Sequence, residues 1–264
     1  MAASDPRPVL WHIAISHYSE KARWALDHKR VPHRRRAVPI PGIHIPASML
    51  LTRGASQTYP VLELDGRAIG DSTEIIAALE QRHPEPPLYP ADPEQRRRAL
   101  ALEDFFDEEL GPHVRLLAFH ELGRDRERFE ALVERTVPAP VARLGSGAVT
   151  CARTYTGLRF GVRDEAAAEL ARAKILAALD RLEAELDGGE YLVGDCFGVA
   201  DLSAAALFFP LVMPDEGPLP NDLPLPAGLE DFRASLRERA GYRWVEETYR
   251  RHRQPTPAGT AAPA

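Results

Sequence analysis

The stretch "TYPVLELDGRAIGDSTEII", residues 58–76, constrains the fold more than any other part of the chain. Val61, Leu62 and Leu64 have strand character, and Asp65-Gly66 is the dipeptide of a tight two-residue hairpin. "RAIG" then returns as the partner strand. A helix opens at Asp71 or Ser72, with Ile75, Ile76 and Leu79 at the spacing of one buried face. A hairpin leading at once into an amphipathic helix demands a sheet with a helix packed across it. Pro60 has no N–H to give a ladder, so it belongs at the start of its strand. Its peptide bond is open to either reading: trans, as base rates favour, or cis, which leaves the backbone of Tyr59 open to a ligand lying alongside as an extra strand.

Upstream, "PVLWHI" (8–13) reads as a strand and "SEKARWALDHK" (19–29) as a helix, with Ala22, Ala25, Leu26 and Lys29 at helical spacing. "HRRRAVPI" is a candidate second strand, and "PGIHIPASMLLTRGAS" is irregular with room for a short helix. The predicted order is strand, helix, strand, hairpin, helix. "PEPPLYPADP" (84–93) is then a turn-rich break, and the chain beyond it is helical by period and composition. The expected organisation is an α/β domain over 1–84, a linker over 85–92 and an all-helical domain over 93–253. The tail 254–264 is too poor in apolar residues to pack and is expected to be disordered. The segment 138–163 breaks helical logic and is a candidate loop, short helix or lid. "EDFFDEE" (103–109) reads as the polar face of one long helix.

Composition narrows the function. A formal charge of -6 argues against nucleic acid as the main partner. Cys151 and Cys196 have no metal-ligand spacing and imply no disulfide framework, so a reducing cytoplasm is expected; Cys196 is expected to be buried and inert. No apolar stretch is long enough to span a bilayer, and "AAALFFPLVM" is interrupted by Pro210. The lone histidines suggest no metal site.

Three segments together resemble the glutathione transferase family: "SHYSEKARWAL" after the first strand, the 58–76 stretch, and "YLVGDCFGVADLSAAAL" (191–207) late in the chain. The resemblance implies a thioredoxin-like N-terminal domain, an all-α helical-bundle C-terminal domain and a homodimer. It also implies glutathione as cosubstrate, attacking a small electrophilic molecule held between the domains. Conjugation, isomerisation and dehalogenation share that activated sulfur. A non-catalytic binding or assembly protein on the same scaffold, or an enzyme using another low-molecular-weight thiol, are the rival readings.

By the same resemblance, Pro60 is the cis-proline and Tyr59 pairs its backbone with the cysteinyl part of glutathione. Asp71 and Ser72 hold the γ-glutamyl end. Ser72 alone also reads as a plain N-cap. The family's usual lysine is replaced by Thr58, so Arg53 and His44 become candidates for the glycyl carboxylate. Ser16 takes the place of the residue that contacts the glutathione thiol, with Ser19 and Tyr18 as lesser candidates and helix capping as the bland alternative. His12 stands where many relatives carry a tyrosine. A thiol of pKa about 8.5 needs a downward shift of about two units, at about 1.4 kcal/mol each, to be mainly thiolate at neutral pH. In the late segment the family's capping Ser or Thr is replaced by Gly198, with Asp201 expected to accept from the Gly198 N–H.

Overall fold

A computed structural model describes residues 7–38, 44–136, 164–220 and 222–253. The candidate lid at 138–163 and the tail 254–264 lie outside the described residues.

The Asp65-Gly66 turn has positive φ at both positions (48° and 77°), the geometry whose twist matches paired strands, and it joins β3 (Val61–Leu64) to β4 (Arg67–Gly70). β1 (Val9–His12) lies antiparallel to β3, with Leu10 opposite Leu62, and parallel to β2 (Arg34–Ala37), giving the sheet order β2-β1-β3-β4. The parallel pair is connected through α1 (His17–His28), a crossover that buries the helix against the sheet. α2 (His44–Leu51) precedes β3, and α3 (Ser72–Arg82) comes after β4. The strands and helices follow the expected order, and the unit is the thioredoxin-like one that the resemblance implied.

The remainder is helical. α4 (Pro93–Phe105) runs into a π-helical turn, Phe106–Leu110, and then α5 (Gly111–Arg124). α6 (Arg126–Thr136), α7 (Glu165–Leu186), α8 (Val199–Val212), α9 (Ala227–Leu236) and α10 (Ala240–His252) complete it. α8 is apolar all round, and every residue except Pro210 is buried, so it forms the axis of the helical unit. One continuous core joins both units: Leu10, Trp24, Leu26 and Ile75 of the first belong with Phe106, Leu207 and Phe208 of the second.

The segment read as one long helix over 94–119 is divided. The Gly111 N–H bonds to the Phe106 carbonyl five residues back, and Pro112 has no N–H to continue that pattern. The carbonyl of Asp107 therefore lacks its helical donor. The Tyr18 hydroxyl supplies one at 2.7 Å, crossing from α1. A β-carbon on Gly111 would clash with that hydroxyl, so only glycine admits the contact.

"EDFFDEE" is a solvated face only in part, with Asp104 and Glu108 exposed. Glu103 and Phe106 are fully buried, because Lys21 of α1 enters the same space. The Lys21 Nζ lies 2.7 Å from Glu103 Oε1, is ion-paired with Asp107, and donates to Thr73 Oγ1 at 2.9 Å. Burial raises the Glu103 carboxyl pKa, and the two carboxylates raise that of Lys21 against burial's pull the other way.

Residues 85–92 are pinned on both sides. Lys29 donates to the carbonyls of His83 and Pro86, at 2.8 and 3.0 Å, and Leu88 is buried. The Leu88 carbonyl accepts the Val199 N–H at 2.8 Å, capping α8 from outside. This accounts for Gly198, since a β-carbon there would press to 3.1 Å from that carbonyl. Asp201 completes the cap, accepting from the Gly198 N–H (2.9 Å) and the Leu192 N–H (2.8 Å), and burial lifts its pKa to about 6. Cys196, expected to be buried, is exposed, because the turn before α8 faces outward. Trp244 is half-buried and donates to the Glu190 carbonyl at 2.8 Å, while Thr248 on the same face is buried. Among the described residues no helix is long and apolar enough to cross a membrane, and no cluster of His, Cys, Asp or Glu is arranged to hold a metal.

Replacing Asp201 with Ala strands two backbone donors at the start of the central helix. At about 1–3 kcal/mol for each unpaired buried group, the expected loss is roughly 2–6 kcal/mol, read as a lower urea midpoint with an unchanged slope.

Candidate functional site

Two helices begin at one place. Ser16 is the N-cap of α1: its backbone is extended (φ -78°, ψ 125°) and its Oγ accepts the Ser19 N–H at 3.2 Å. Asp71 is the N-cap of α3, its carboxylate accepting the Thr73 N–H at 2.8 Å. Asp71 holds φ at +73°, a conformation costly for a residue with a β-carbon and typical of sites where the surroundings impose it. Both helix starts, with their free N–H groups and partial positive charge, open onto one cavity of about 810 Å³.

The near wall of the cavity is residues 13–18, Thr58–Pro60 and Asp71–Glu74. The Tyr59-Pro60 bond is cis, and Tyr59 and Pro60 are buried at the start of β3. The opposite wall belongs to the helical unit. Asp104, Asp107 and Glu108 stand beside the start of α3, with Arg115 next along. Beyond them the surface is apolar: Val114, Phe119, Phe129, Leu132, Leu223 and Leu229 are among its members. The cavity is thus polar where the helices start and oily further out.

The three hydroxyls near the start of α1 differ in what their protons are doing. Ser19 is fully buried, does not line the cavity, and its Oγ accepts the Ile13 N–H at 3.2 Å. Tyr18 lines the cavity, but its proton goes to the Asp107 carbonyl; the Arg115 guanidinium lies 5.8 Å from its ring, and burial pushes the phenol pKa up. Ser16 lines the cavity and accepts in its capping bond, and among the described residues its own proton has no acceptor.

Of the residues singled out from sequence, Ser16, Tyr59, Pro60, Asp71 and Ser72 all line this cavity. Arg53 does not; it is exposed in the turn after α2, at positive φ. His44 is the first residue of α2, and its side chain lies outside the described residues. Sequence reasoning misses Asp107, Arg115 and the carboxylates at 104 and 108. Their context reads as an ordinary helix surface, and only the late proline at 112 signals the interruption that turns them to the cavity.

Two histidines flanking residues 13–16 are held neutral. His17, buried beside the Gly111 backbone, has its pKa lowered to about 3 by burial and then by Arg115. His12 is likewise lowered to about 3, by burial and then by Arg23, whose Nη1 lies 2.9 Å from its Nδ1.

Residues 10–87 match the family model for the Glutathione S-transferase, N-terminal domain, and residues 165–238 that for the C-terminal domain. The two matches together span more than half of the chain. The chain belongs to the glutathione S-transferase family. Among curated proteins it is similar to a probable maleylacetoacetate isomerase of Caenorhabditis elegans, 32% identical over 38% of this chain and 46% of that protein. It is also similar to the maleylacetoacetate isomerase of Rattus norvegicus, 28% identical over 46% of this chain and 57% of that one. The chain thus spans about half the length of the curated relatives it matches. Among solved structures, FzlA from C. crescentus shares 25% identity at a TM-score of 0.55, covering 98% of this chain and 96% of that one. The holo structure of maleyl pyruvate isomerase, a bacterial glutathione S-transferase in the Zeta class, has a TM-score of 0.58 at 22% identity. It covers 95% of this chain and 100% of that one, a likeness of fold.

The neutral histidines give the family fold an acid-labile edge here. A group whose folded pKa lies below its unfolded value of about 6.5 binds more protons when unfolded. The stability such a group contributes is therefore full above about pH 6.5 and is lost as pH falls from there toward about 3. Each such histidine contributes a slope of about 1.4 kcal/mol per pH unit in that window. His17→Gln is expected to reduce the acid-limb slope by about one histidine's share, measured as unfolding free energy against pH.

Proposed function

We propose that the cavity binds glutathione and that the protein is a glutathione transferase, acting through the glutathione thiolate on a small electrophile. The observation that carries this reading is Ser16. Its oxygen is fixed by the capping bond, its proton goes to none of the described residues, and it stands at the positive end of α1 facing the cavity. A general base is not required. The Ser16 hydroxyl donates to sulfur, the helix end favours the anion, and both lower the thiol's pKa.

The rest of the near wall suits the tripeptide. Ser72 and the free N–H groups at the start of α3 offer a carboxylate site for the γ-glutamyl end. Asp71 and Asp107 supply negative charge for the neighbouring ammonium group. Tyr59, at the head of β3, presents its backbone to the cysteinyl unit as an added strand. The apolar far wall takes the electrophile. The cavity's volume falls in the usual range for small-molecule sites. The glycyl carboxylate lies toward Thr58, where Arg53 is turned away. Family resemblance supports a homodimer.

A second reading, glutathione-dependent isomerisation, is favoured by the curated relatives, which carry an isomerase activity in their names. The two are separated by stoichiometry: conjugation consumes one glutathione per turnover, whereas isomerisation returns it.

Ser16→Ala removes the donor to sulfur while leaving the γ-glutamyl site intact. A hydrogen bond to a charged group is worth about 1.5–3 kcal/mol, so the bound thiol's pKa is expected to rise by about 1–2 units. The glutathione dissociation constant should stay within about threefold at a pH where the thiol is protonated. Calorimetry and the ultraviolet absorbance of the bound thiolate read the two quantities. An unchanged thiolate signal and unchanged turnover in this variant would overturn the role of Ser16. No binding heat with millimolar glutathione in the native protein would overturn the whole reading, in favour of a non-catalytic scaffold.

A further inference from the structure

The loop that carries Ser16 is held from the far end of the chain. Arg23 is buried on the inner side of α1. Its guanidinium donates to the carbonyls of Ile13 (3.3 Å) and Ala14 (3.1 Å), and its Nε donates to Glu20 Oε2 at 2.7 Å. Glu20 is fully buried, and its other oxygen accepts from Arg253 Nε at 2.6 Å, a contact 233 residues apart in sequence. Arg253 comes directly after α10; its Nη1 also reaches Asp27 Oδ2 at 2.7 Å, and its guanidinium carbon lies 5.9 Å from the Trp24 ring. The loop has internal polar contacts as well: Ser16 N–H to the Ile13 carbonyl (3.1 Å), Ile13 N–H to Ser19 Oγ, and Ser19 N–H to Ser16 Oγ.

We infer that Arg253 is a positioning residue for Ser16, acting through Glu20 and Arg23 on the backbone of residues 13–14. Glu20 has two oxygens and two cationic partners. With both in place it cannot rotate, so the Arg23 fork is fixed, and so are the two carbonyls it grips. Without Arg253, one Glu20 oxygen is stranded in a buried site, and the carboxylate turns to share Arg23 more fully. The fork then shifts off the Ile13 and Ala14 carbonyls. Freed carbonyls let the loop sample other conformations, and the Ser16 Oγ loses its fixed position.

The effect is on loop order, so it is readable without any ligand. Amide hydrogen exchange in the ligand-free protein is expected to quicken by about tenfold at Ile13, Ser16 and Ser19 in Arg253→Met. The amides of β3 should be unaffected. Arg253→Lys, which keeps a cation without the fork, is expected to give an intermediate rate, about threefold above native, and it serves as the test variant if the methionine variant does not fold. The second readout rests on the proposed role of Ser16: Arg253→Met should raise the bound thiol's pKa and lower kcat by about tenfold, with KM for glutathione changed less than threefold. Native loop exchange in the folded variants overturns the inference. If the native protein binds no glutathione, the functional reading fails while the exchange measurement still decides this one. A merely structural role for Arg253 would lower stability and quicken exchange throughout, β3 included, and that outcome also overturns it.

Discussion

Helix α1 lies between the sheet and the helical unit with almost no solvent on any side, yet it carries Glu20, Lys21 and Arg23 within a single turn of that buried surface. Isolated charges there would be prohibitive, since burial costs several kcal/mol per ion even after relaxation. Each is met by a partner: Lys21 by Glu103 and Asp107, and Glu20 by Arg253 and by Arg23. These pairs add little to stability compared with apolar substitutes of the same size. What they impose is registry, because removing either partner leaves an unpaired charge inside. The two units can therefore dock in one arrangement only, the one that brings the start of α1 and the end of α4 to opposite sides of a cavity.

The π-helical turn follows from the same requirement. An uninterrupted helix through 106–110 would rotate Asp107 away from Lys21 and leave no carbonyl for Tyr18. Pro112 makes the interruption cheap, because it removes the N–H whose bond would otherwise be sacrificed. The result places Asp107 in two roles at once: its carboxylate serves the buried lysine and the cavity wall, and its carbonyl takes the Tyr18 proton. With that proton committed, the phenol on the Ser16 wall has none to offer a ligand in the cavity.

Much of the N-terminal unit was legible in the sequence because its signals are local. Asp65-Gly66 fixes a turn, apolar residues at close spacing fix β3, and Asp71 caps its helix through a bond two residues long, whereas α1, read as starting at Ser19, starts at His17 with Ser16 as its cap. The resemblance then linked Ser16, Tyr59, Pro60, Asp71 and Ser72, and the fold does gather them at one cavity. What stayed hidden depends on long-range partners. Glu103 has the surroundings of a solvated helix residue until Lys21, far from it in sequence, is placed beside it. Gly198 looks like a weakened cap until the Leu88 carbonyl is seen taking the Val199 N–H from outside the helix. Arg53 stands out by its charge and its nearness in sequence, and neither reveals that its turn faces outward.

The N-cap and the proposed thiol contact at Ser16 are not rival explanations, because they use different parts of one hydroxyl. Capping needs a lone pair, aimed back at the Ser19 N–H; stabilising a thiolate needs the proton, aimed out. The first fixes the oxygen and thereby restricts the proton to a cone facing the cavity. Alanine would lose both functions, and threonine would keep both only if its methyl group cleared the wall formed by Ile15 and His17. Cysteine would cap poorly with its larger sulfur, and the positive helix end would favour its own thiolate, which has no proton to donate. A serine at this point thus satisfies the local demand of the helix through a lone pair alone, which is what lets the same hydroxyl take the proposed role.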